Sequence, residues 1–320
     1  MRKPIILMSF LISQGILVAS AAYPDRPIRL IVPNAPGGSP DTTARIFAAE
    51  LTKQLGQQVV VDNRAGAGGI IGMTLVAKSI PDGYTIGYAP IAPIALQPSL
   101  QKNLPYDRDR ELQAVVQISA QSAVLVASKS LSITSVQGII DYARINPGKL
   151  LYASIGDGAY QHLTGELFSY MTKTSMRHVP FKGSVFALTD VIAGRVHLMF
   201  EVPISVGQHI TSGRLQGIAV TGTKRVSAFK ELPTVAEAGV PGFESTTWGG
   251  IVVQAKTPRT VVDQLNREFN VIMGFPHIKE KYLTFGADLV GGSPEQFTLV
   301  IKRDTIKWAD VIKRAGIKAD

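Results

Sequence analysis

The sequence predicts an α/β protein of two lobes, each built on a doubly wound sheet and joined to the other by two strand crossings. Three features of the 320-residue chain support this class. Short apolar runs alternate with segments of helical spacing, which is typical of sheets flanked by helices. Several runs are apolar throughout, as in strands that are buried on both faces. The alternation falls into two blocks that extended segments separate.

The first block contains three strands and two helices. Residues 28–33 form a continuous apolar run, and Ala44, Phe47 and Leu51 then recur at helical spacing. The predicted strands are 28–33, 58–62 and 84–88, and the predicted helices are 41–55 and 69–79.

The second block repeats the alternation over a longer stretch. Its predicted strands are 123–127, 149–154, 176–180, 196–200 and 215–221, and its predicted helices are 135–145, 160–171, 184–193 and 203–212. A strand at 251–253 follows. After Pro258 the chain is predicted to be helical almost to its end, with breaks near Phe275-Pro276 and Gly291-Gly292.

The extended segments predict where the chain passes between the lobes. One crossing is placed at residues 122–128 and the return at 248–254. Lobe one would then comprise residues 23–122 plus 249–320, and lobe two residues 123–248. Ligands of such sheets bind beyond the carboxyl ends of the strands, so we expect a cleft between the lobes.

The first 22 residues have the pattern of an export signal. Arg2 and Lys3 precede a short apolar run, and residues 19–21 (Ala-Ser-Ala) form a small-x-small site. We predict a signal peptide that is cleaved near Ala21 or Ala22; the alternative is a retained amphipathic anchor. The chain contains no cysteine and therefore no disulfide framework or thiolate site. An exported chain of this kind is expected in the periplasm.

The charge pattern argues against a nucleic-acid partner. The formal net charge is +9, but the basic residues are scattered along the chain. A nucleic-acid-binding surface would concentrate them on one face, interleaved with aromatic residues. The positive balance fits solubility or weak attraction of small anions.

The common enzyme motifs are absent from the sequence. G-x-x-x-x-G-K-[ST], H-E-x-x-H and G-x-S-x-G do not occur. Residues 65–72 approach a dinucleotide fingerprint, but its third glycine would have to stand at Ile71. The five histidines lack the helical spacing of metal ligands. The sequence predicts no catalytic residue, no cofactor and no metal.

The first of two informative glycine loops follows the first strand. Gly37 and Gly38 let the backbone turn and approach a ligand, and Pro40 suits the first turn of a helix. The free N–H groups at such a helix start attract an anion. Asp41 is expected either to cap the helix or to meet a donor on the ligand. The alternative is a tight strand-to-helix connection without a ligand.

The second glycine loop, residues 154–162, joins a strand to a helix in lobe two. Two helix starts that converge on one cleft could hold a carboxylate without a buried cation, which would cost desolvation. Glu201 ends a strand on the cleft side, as a ligand contact or as a hydrogen-bonding group near the hinge. Lys182 also follows a strand, as a ligand contact or as a solvated charge.

An ordered set of motifs resembles the Bug family, the substrate-binding proteins of tripartite tricarboxylate transporters. The resemblance spans essentially the whole chain after residue 22. Its motifs are residues 23–33 (YPDRPIRLIVP), 35–38 (APGG) with Asp41, 62–69 (DNRAGAGG), 81–85 (PDGYT), His162-Leu163 with Gly165-Glu166, 179–183 (VPFKG), 232–239 (LPTVAEAG) and Trp248-Gly249.

The resemblance implies a periplasmic binding protein of the Venus-flytrap, type II-like architecture. Such a protein closes on a small carboxylate, acts as a monomer and delivers its ligand to inner-membrane permease subunits. The two loops that clamp the carboxylate in the family match residues 35–41 and 154–162, and residues 89–92 match part of the wall. The predicted ligand-binding residues are Ala35, Gly37, Gly38, Ser39, Asp41, Ala89, Ala92, Ser154, Asp157, Gly158, Ala159, His162, Lys182 and Glu201.

Departures from the family pattern bear on specificity. Ala159 stands where relatives often have a hydroxyl, residues 89–93 are apolar where relatives are often polar, and Glu201 replaces a frequent aspartate. Asn34 stands where an aromatic residue is common. These differences favour a less polar ligand body, an aromatic or branched acid instead of citrate.

Two other functions remain open at this stage. The closed form could be presented to a membrane sensor kinase, because signalling and transport use the same closure. A periplasmic hydrolase or isomerase could use Asp41, Glu201 or His162 as acid and base.

Overall fold

The computed structural model describes residues 23–317, and the predicted signal peptide lies outside this range. The strands are β1 Ile28–Val32, β2 Val59–Asn63, β3 Thr85–Pro90, β4 Leu112–Ser122, β5 Val124–Ser128, β6 Leu151–Ser154, β7 Arg177–Pro180, β8 Leu198–Glu201, β9 Leu215–Val220, β10 Thr246–Gln254 and β11 Asp288–Gly291. The helices are α1 Ser39–Leu55, α2 Ile70–Ala77, α3 Gln97–Leu100, α4 Arg108–Glu111, α5 Val136–Ile145, α6 Tyr160–Thr172, α7 Ser184–Ile192, α8 Pro203–Thr211, α9 Arg259–Gly274, α10 Pro276–Thr284 and α11 Pro294–Ala315.

The first lobe is built on a six-stranded mixed sheet in the order β11-β4-β10-β3-β1-β2. β1 pairs in parallel with β2 and β3, whereas β10 pairs antiparallel with β3 and β4. α1 and α9 cover one face of the sheet, where the rings of Phe47 and Phe269 lie 5.6 Å apart. Phe297 and Trp308 of α11 are buried in a separate hydrophobic cluster that contains residues of both lobes.

The second lobe is built on a five-stranded mixed sheet in the order β7-β6-β8-β5-β9. β6 pairs in parallel with β7 and β8, and β5 runs antiparallel to β8 and β9. The expected α/β class of two lobes is confirmed, although both sheets are mixed because each contains antiparallel strands.

The chain passes between the two sheets at two neighbouring points. β4 ends at Ser122 in the first sheet, and β5 begins two residues later in the second. The return enters β10 at Thr246, which pairs with Ser122. Thr221 joins the two passages, because its hydroxyl accepts from the Ala123 N–H at 2.8 Å and donates to the Ser245 carbonyl at 2.7 Å.

Two strands were not foreseen. β4 lies in a segment that the sequence left unassigned, because buried polar residues such as Gln117 and Ser119 interrupt its apolar pattern. β11 falls where only a helix break was expected. The predicted return crossing at 248–254 is part of β10, a central strand of the first sheet that is buried along almost its whole length.

A π-helix, Ala92–Leu96, follows β3 and leads directly into α3. Within residues 23–317, no helix is both long and apolar enough to cross a membrane.

Candidate functional site

A cleft of about 680 Å³ lies between the two sheets, and residues of both lobes line it. Three helices begin at its wall: α1 from the first lobe, and α6 and α7 from the second. No side chain caps the start of any of these three helices in the described structure. The first N–H groups of a helix have no partner within the helix, so each start offers backbone donors.

The Asp41 side chain stabilises the first glycine loop through hydrogen bonds. The Gly37 N–H donates to Asp41 Oδ2 at 2.9 Å, and Asn63 Nδ2 donates to Oδ1 at 3.0 Å. Arg45 forms an ion pair with the same carboxylate. Burial alone would raise the pKa of Asp41, but these donors hold it below its usual value. Asp41 is therefore an ionised support of the loop and does not line the cleft.

The second glycine loop is held by two stacked histidines. The rings of His162 and His178 are parallel, with centroids 3.9 Å apart. His162 Nδ1 accepts from the Gly158 N–H at 3.0 Å, and His178 Nε2 contacts Ser154 Oγ at 2.5 Å. Burial, together with the neighbouring His162, lowers the pKa of His178 to about 3. A neutral His178 thus anchors the strand end from which the loop starts.

Ser154, His178 and Asp157 lie in the order of a hydrolase triad, yet they cannot serve as one in this arrangement. His178 Nδ1 lies 3.5 Å from Asp157 Oδ1. Ser154 is fully buried, and its hydroxyl also accepts from the Gly156 N–H at 3.0 Å. A nucleophile must touch its substrate, and Ser154 has no surface in the cleft.

The same region brings Asp157, His162 and His178 close enough for a metal site to be considered. A metal ion lies near the ring plane of each imidazole that binds it. The two rings are 3° from parallel and stacked, so one ion cannot lie in both ring planes. The observed arrangement does not fit an ion shared by the two histidines.

Glu201 links the helix starts of the second lobe. Ser184 Oγ of α7 and Gln161 Nε2 of α6 donate to its Oε2 at 2.8 and 3.1 Å, and the Val202 N–H donates to its Oε1 at 2.8 Å. The carboxyl group is buried, which raises its pKa despite these three donors. Glu201 thereby fixes the relative positions of α6 and α7 at the cleft.

The structure brings eight of the predicted site residues to the cleft, whereas six do not line it. Those lining the cleft are Ala35, Gly38, Ser39, Ala92, Asp157, Ala159, Lys182 and Glu201. The other six, which support the loops and strand ends without lining the cleft, are Gly37, Asp41, Ala89, Ser154, Gly158 and His162.

Several lining residues were not predicted. The loop of residues 65–69, noted only as an imperfect dinucleotide fingerprint, forms part of the wall together with Gln97, Gln101 and Gln121. Its run of glycines was the available signal. No sequence pattern marked the three glutamines, because their position at the cleft depends on contacts between distant segments.

The wall is mainly apolar and carries few charges. Tyr88, Ile91, Tyr160, Phe181 and Trp248 contribute large apolar surfaces. Among the described lining residues, Lys182 is the one basic side chain, and the two acidic ones are Asp157 and Glu201. Backbone donors at helix starts and an apolar wall suit a small anion with an apolar body.

Two α/β lobes around one cleft, with uncapped helix starts at its wall, define the class of two-lobed solute-binding proteins. Residues 43–317 match the family model described as "Tripartite tricarboxylate transporter family receptor". The chain belongs to this family of periplasmic solute-binding receptors, which are not enzymes.

Relatives and solved structures agree with this assignment. Protein BugT of Bordetella pertussis (strain Tohama I) is 36% identical over 312 residues, 97% of this chain and 96% of that protein. A structure of R. palustris Rpa4515 with adipate has a TM-score of 0.90 at 35% identity, covering 92% of this chain and 99% of that chain. MatC from Rhodopseudomonas palustris with bound malate has a TM-score of 0.87 at 26% identity, covering 91% of this chain and 100% of that chain.

Proposed function

We propose that this protein captures a small carboxylate in the cleft between its lobes and delivers it to a tripartite tricarboxylate-type transporter. The observation that carries the proposal is the convergence of three uncapped helix starts on one cleft. The adipate and malate in the structures of Rpa4515 and MatC support a carboxylate as the ligand class.

The carboxylate is held mainly by backbone donors. Each helix start is worth about 0.3–1 kcal/mol to an exposed anion and up to ~2 kcal/mol to a partly buried one. Gly38 and Ser39 supply the start of α1, Ala159 that of α6, and Ser184 that of α7. Lys182 adds an exposed positive charge that attracts the anion.

The remaining predicted residues have distinct parts in this proposal. Ala35, Ala92 and Asp157 contact the ligand from the wall, and Glu201 either accepts from the ligand or orients the two helices it joins. Those that support the loops without touching the ligand are Gly37, Asp41, Ala89, Ser154, Gly158 and His162.

The predicted lobe limits are proposed with the function. Residues 23–122 plus 249–320 form lobe one, and residues 123–248 form lobe two. The passage at Ser122 and the pairing of Thr246 with it support these limits to within a few residues. We further propose that residues 1–22 are removed near Ala21 or Ala22 and that the mature protein is a periplasmic monomer.

The apolar wall favours an aromatic or branched acid over citrate. A thermal-shift panel tests this preference, because a ligand at 100 times its Kd stabilises the folded state by about 2.7 kcal/mol. We expect aromatic and branched monocarboxylates to raise Tm more than citrate at equal concentration. A larger shift with citrate would overturn the preference while leaving carboxylate binding intact.

The function itself is tested by native mass spectrometry of freshly purified protein, followed by identification of the released ligand. We expect a carboxylic acid that is recovered unchanged after long incubation with the protein. Release of a ligand without an acid group, or its conversion into a product, would contradict the proposal.

A further inference from the structure

Gln97 reaches from the first lobe into the second. It is the first residue of α3 and is 1% exposed. Its Nε2 donates to the backbone carbonyl of Asp157, in the second glycine loop, at 3.1 Å. We propose that Gln97 is a closure latch: its amide bridges the lobes only when the cleft is shut, and it thereby sets how long a bound solute is retained.

Two glycines make room for this amide. A Cβ on Gly68 of the first lobe, or on Gly158 of the second, would overlap Gln97 Nε2. A Cβ on Gly68 would also lie 3.0 Å from the Asp157 carbonyl oxygen. Both glycines have positive φ angles, of 61° and 67°. Loops from opposite lobes therefore leave space at one point for the same side chain.

The π-helix before α3 determines the position of Gln97 at the start of that helix. Its freed carbonyls are taken up by the first lobe: the Tyr106 hydroxyl donates to Pro93 at 2.5 Å, and Arg108 donates to Ile94 at 3.2 Å. A π-helix shifts the register of the residues that follow it and occurs frequently at functional sites. The latch is thus attached to a rigid part of its own lobe.

The latch is only partly satisfied. The bond to a carbonyl identifies Nε2 as the amide nitrogen, so Oε1 is the acceptor, and it has no hydrogen-bond partner among the described residues. A buried acceptor without a donor costs free energy.

The latch rests on the proposed function, because retention of a solute presupposes that one binds, but closure can be measured without a solute. The chain has no cysteine, so Lys53→Cys and Ser212→Cys, on exposed sites of the two lobes, can carry a dye pair for single-molecule energy transfer. Closed-state dwell times are measured with no addition and with millimolar adipate.

Gln97→Leu should shorten the closed-state dwell by about 2- to 13-fold, the range expected for one hydrogen bond of this kind. Gln97→Glu should shorten it at about pH 8, and the dwell should recover near pH 4, below the ordinary glutamate pKa of about 4.3, as the carboxyl gains a proton that it can donate. The matched controls Gln58→Leu and Gln58→Glu, on an exposed residue before β2, should match the parent protein.

Unchanged dwell times in both Gln97 variants would overturn the latch, as would equal shortening in the Gln58 controls. A parent protein that never closes under either condition would also overturn it. If circular dichroism shows that Gln97→Leu does not fold, the pH dependence of the dwell time in Gln97→Glu tests the latch instead. Adipate that fails to bind the parent would weaken the proposed ligand class and leave the ligand-free comparison intact.

Discussion

Replacing Glu201 by glutamine tests how a fully buried carboxyl group in the second lobe affects the pH dependence of stability. Burial raises the pKa of Glu201 above its ordinary value of 4.5. Above that pH the folded protein binds more protons than the unfolded chain, so the free energy of unfolding falls as pH rises through the folded-state pKa. Glu201→Gln cannot titrate and removes this dependence.

The hydrogen bonds of residue 201 determine the part of the stability difference between the parent protein and Glu201→Gln that does not change with pH. The amide oxygen of glutamine can take the place of Oε2 and keep the donors Ser184 and Gln161. The NH₂ group of the glutamine then faces the Val202 N–H, which in the parent protein donates to Glu201 Oε1 at 2.8 Å. Two donors then face each other. Leaving that donor unpaired costs about 1–3 kcal/mol.

The parent protein should therefore be more stable than Glu201→Gln near pH 4.5, and its advantage should shrink as pH rises. The decline amounts to about 1.4 kcal/mol for each unit by which the pKa is raised. Urea unfolding followed by circular dichroism at a series of pH values measures it, with the exposed Glu231→Gln as control. A difference that is constant, or that grows with pH, would refute the reasoning.

Three further outcomes follow from the site. Lys182→Met should weaken adipate binding by about two- to fivefold at low salt, because an exposed charge contributes about 1 kcal/mol or less; calorimetry that finds no change, or an equal loss in Lys224→Met, would contradict this. Gly165→Ala should lower the unfolding free energy by about 1–3 kcal/mol, since a Cβ there overlaps the Tyr152 ring, and a neutral urea midpoint would count against it. The pKa of His178 is lowered from 6.5 to about 3, so the folded state binds fewer protons and stability falls as pH drops below 6.5. His178→Gln should flatten this acid loss of Tm, and equal acid sensitivity in the variant would show the source to be elsewhere.

Local patterns predicted the parts of the fold that local interactions determine. Apolar runs and helical spacing located β1, α1 and β8, and the glycine loop of residues 35–41 was placed correctly between a strand and a helix. Strand β4 escaped prediction because buried polar residues interrupt its apolar pattern and its place in the sheet depends on pairing with β10. That pairing joins segments more than a hundred residues apart, and no short window of sequence contains it.

The candidate site divides in the same way. Gly38 and Ser39 could be placed at the cleft because a helix start is a local feature. Whether Asp41 turns toward the ligand or toward its own loop depends on Asn63, which a different strand supplies. Gln97 could not be identified at all, because its role requires the Asp157 carbonyl of the opposite lobe.

The two neighbouring chain passages at Ser122 and Thr246 restrict how the lobes can move. Thr221 joins the two passages through the Ala123 N–H and the Ser245 carbonyl, so we expect them to bend together as one hinge. Closure would then follow one main coordinate, the angle between the lobes. Under the proposed latch, a solute long enough to stop this rotation early would leave Gln97 short of the Asp157 carbonyl, so we expect solutes of different length to differ in residence time.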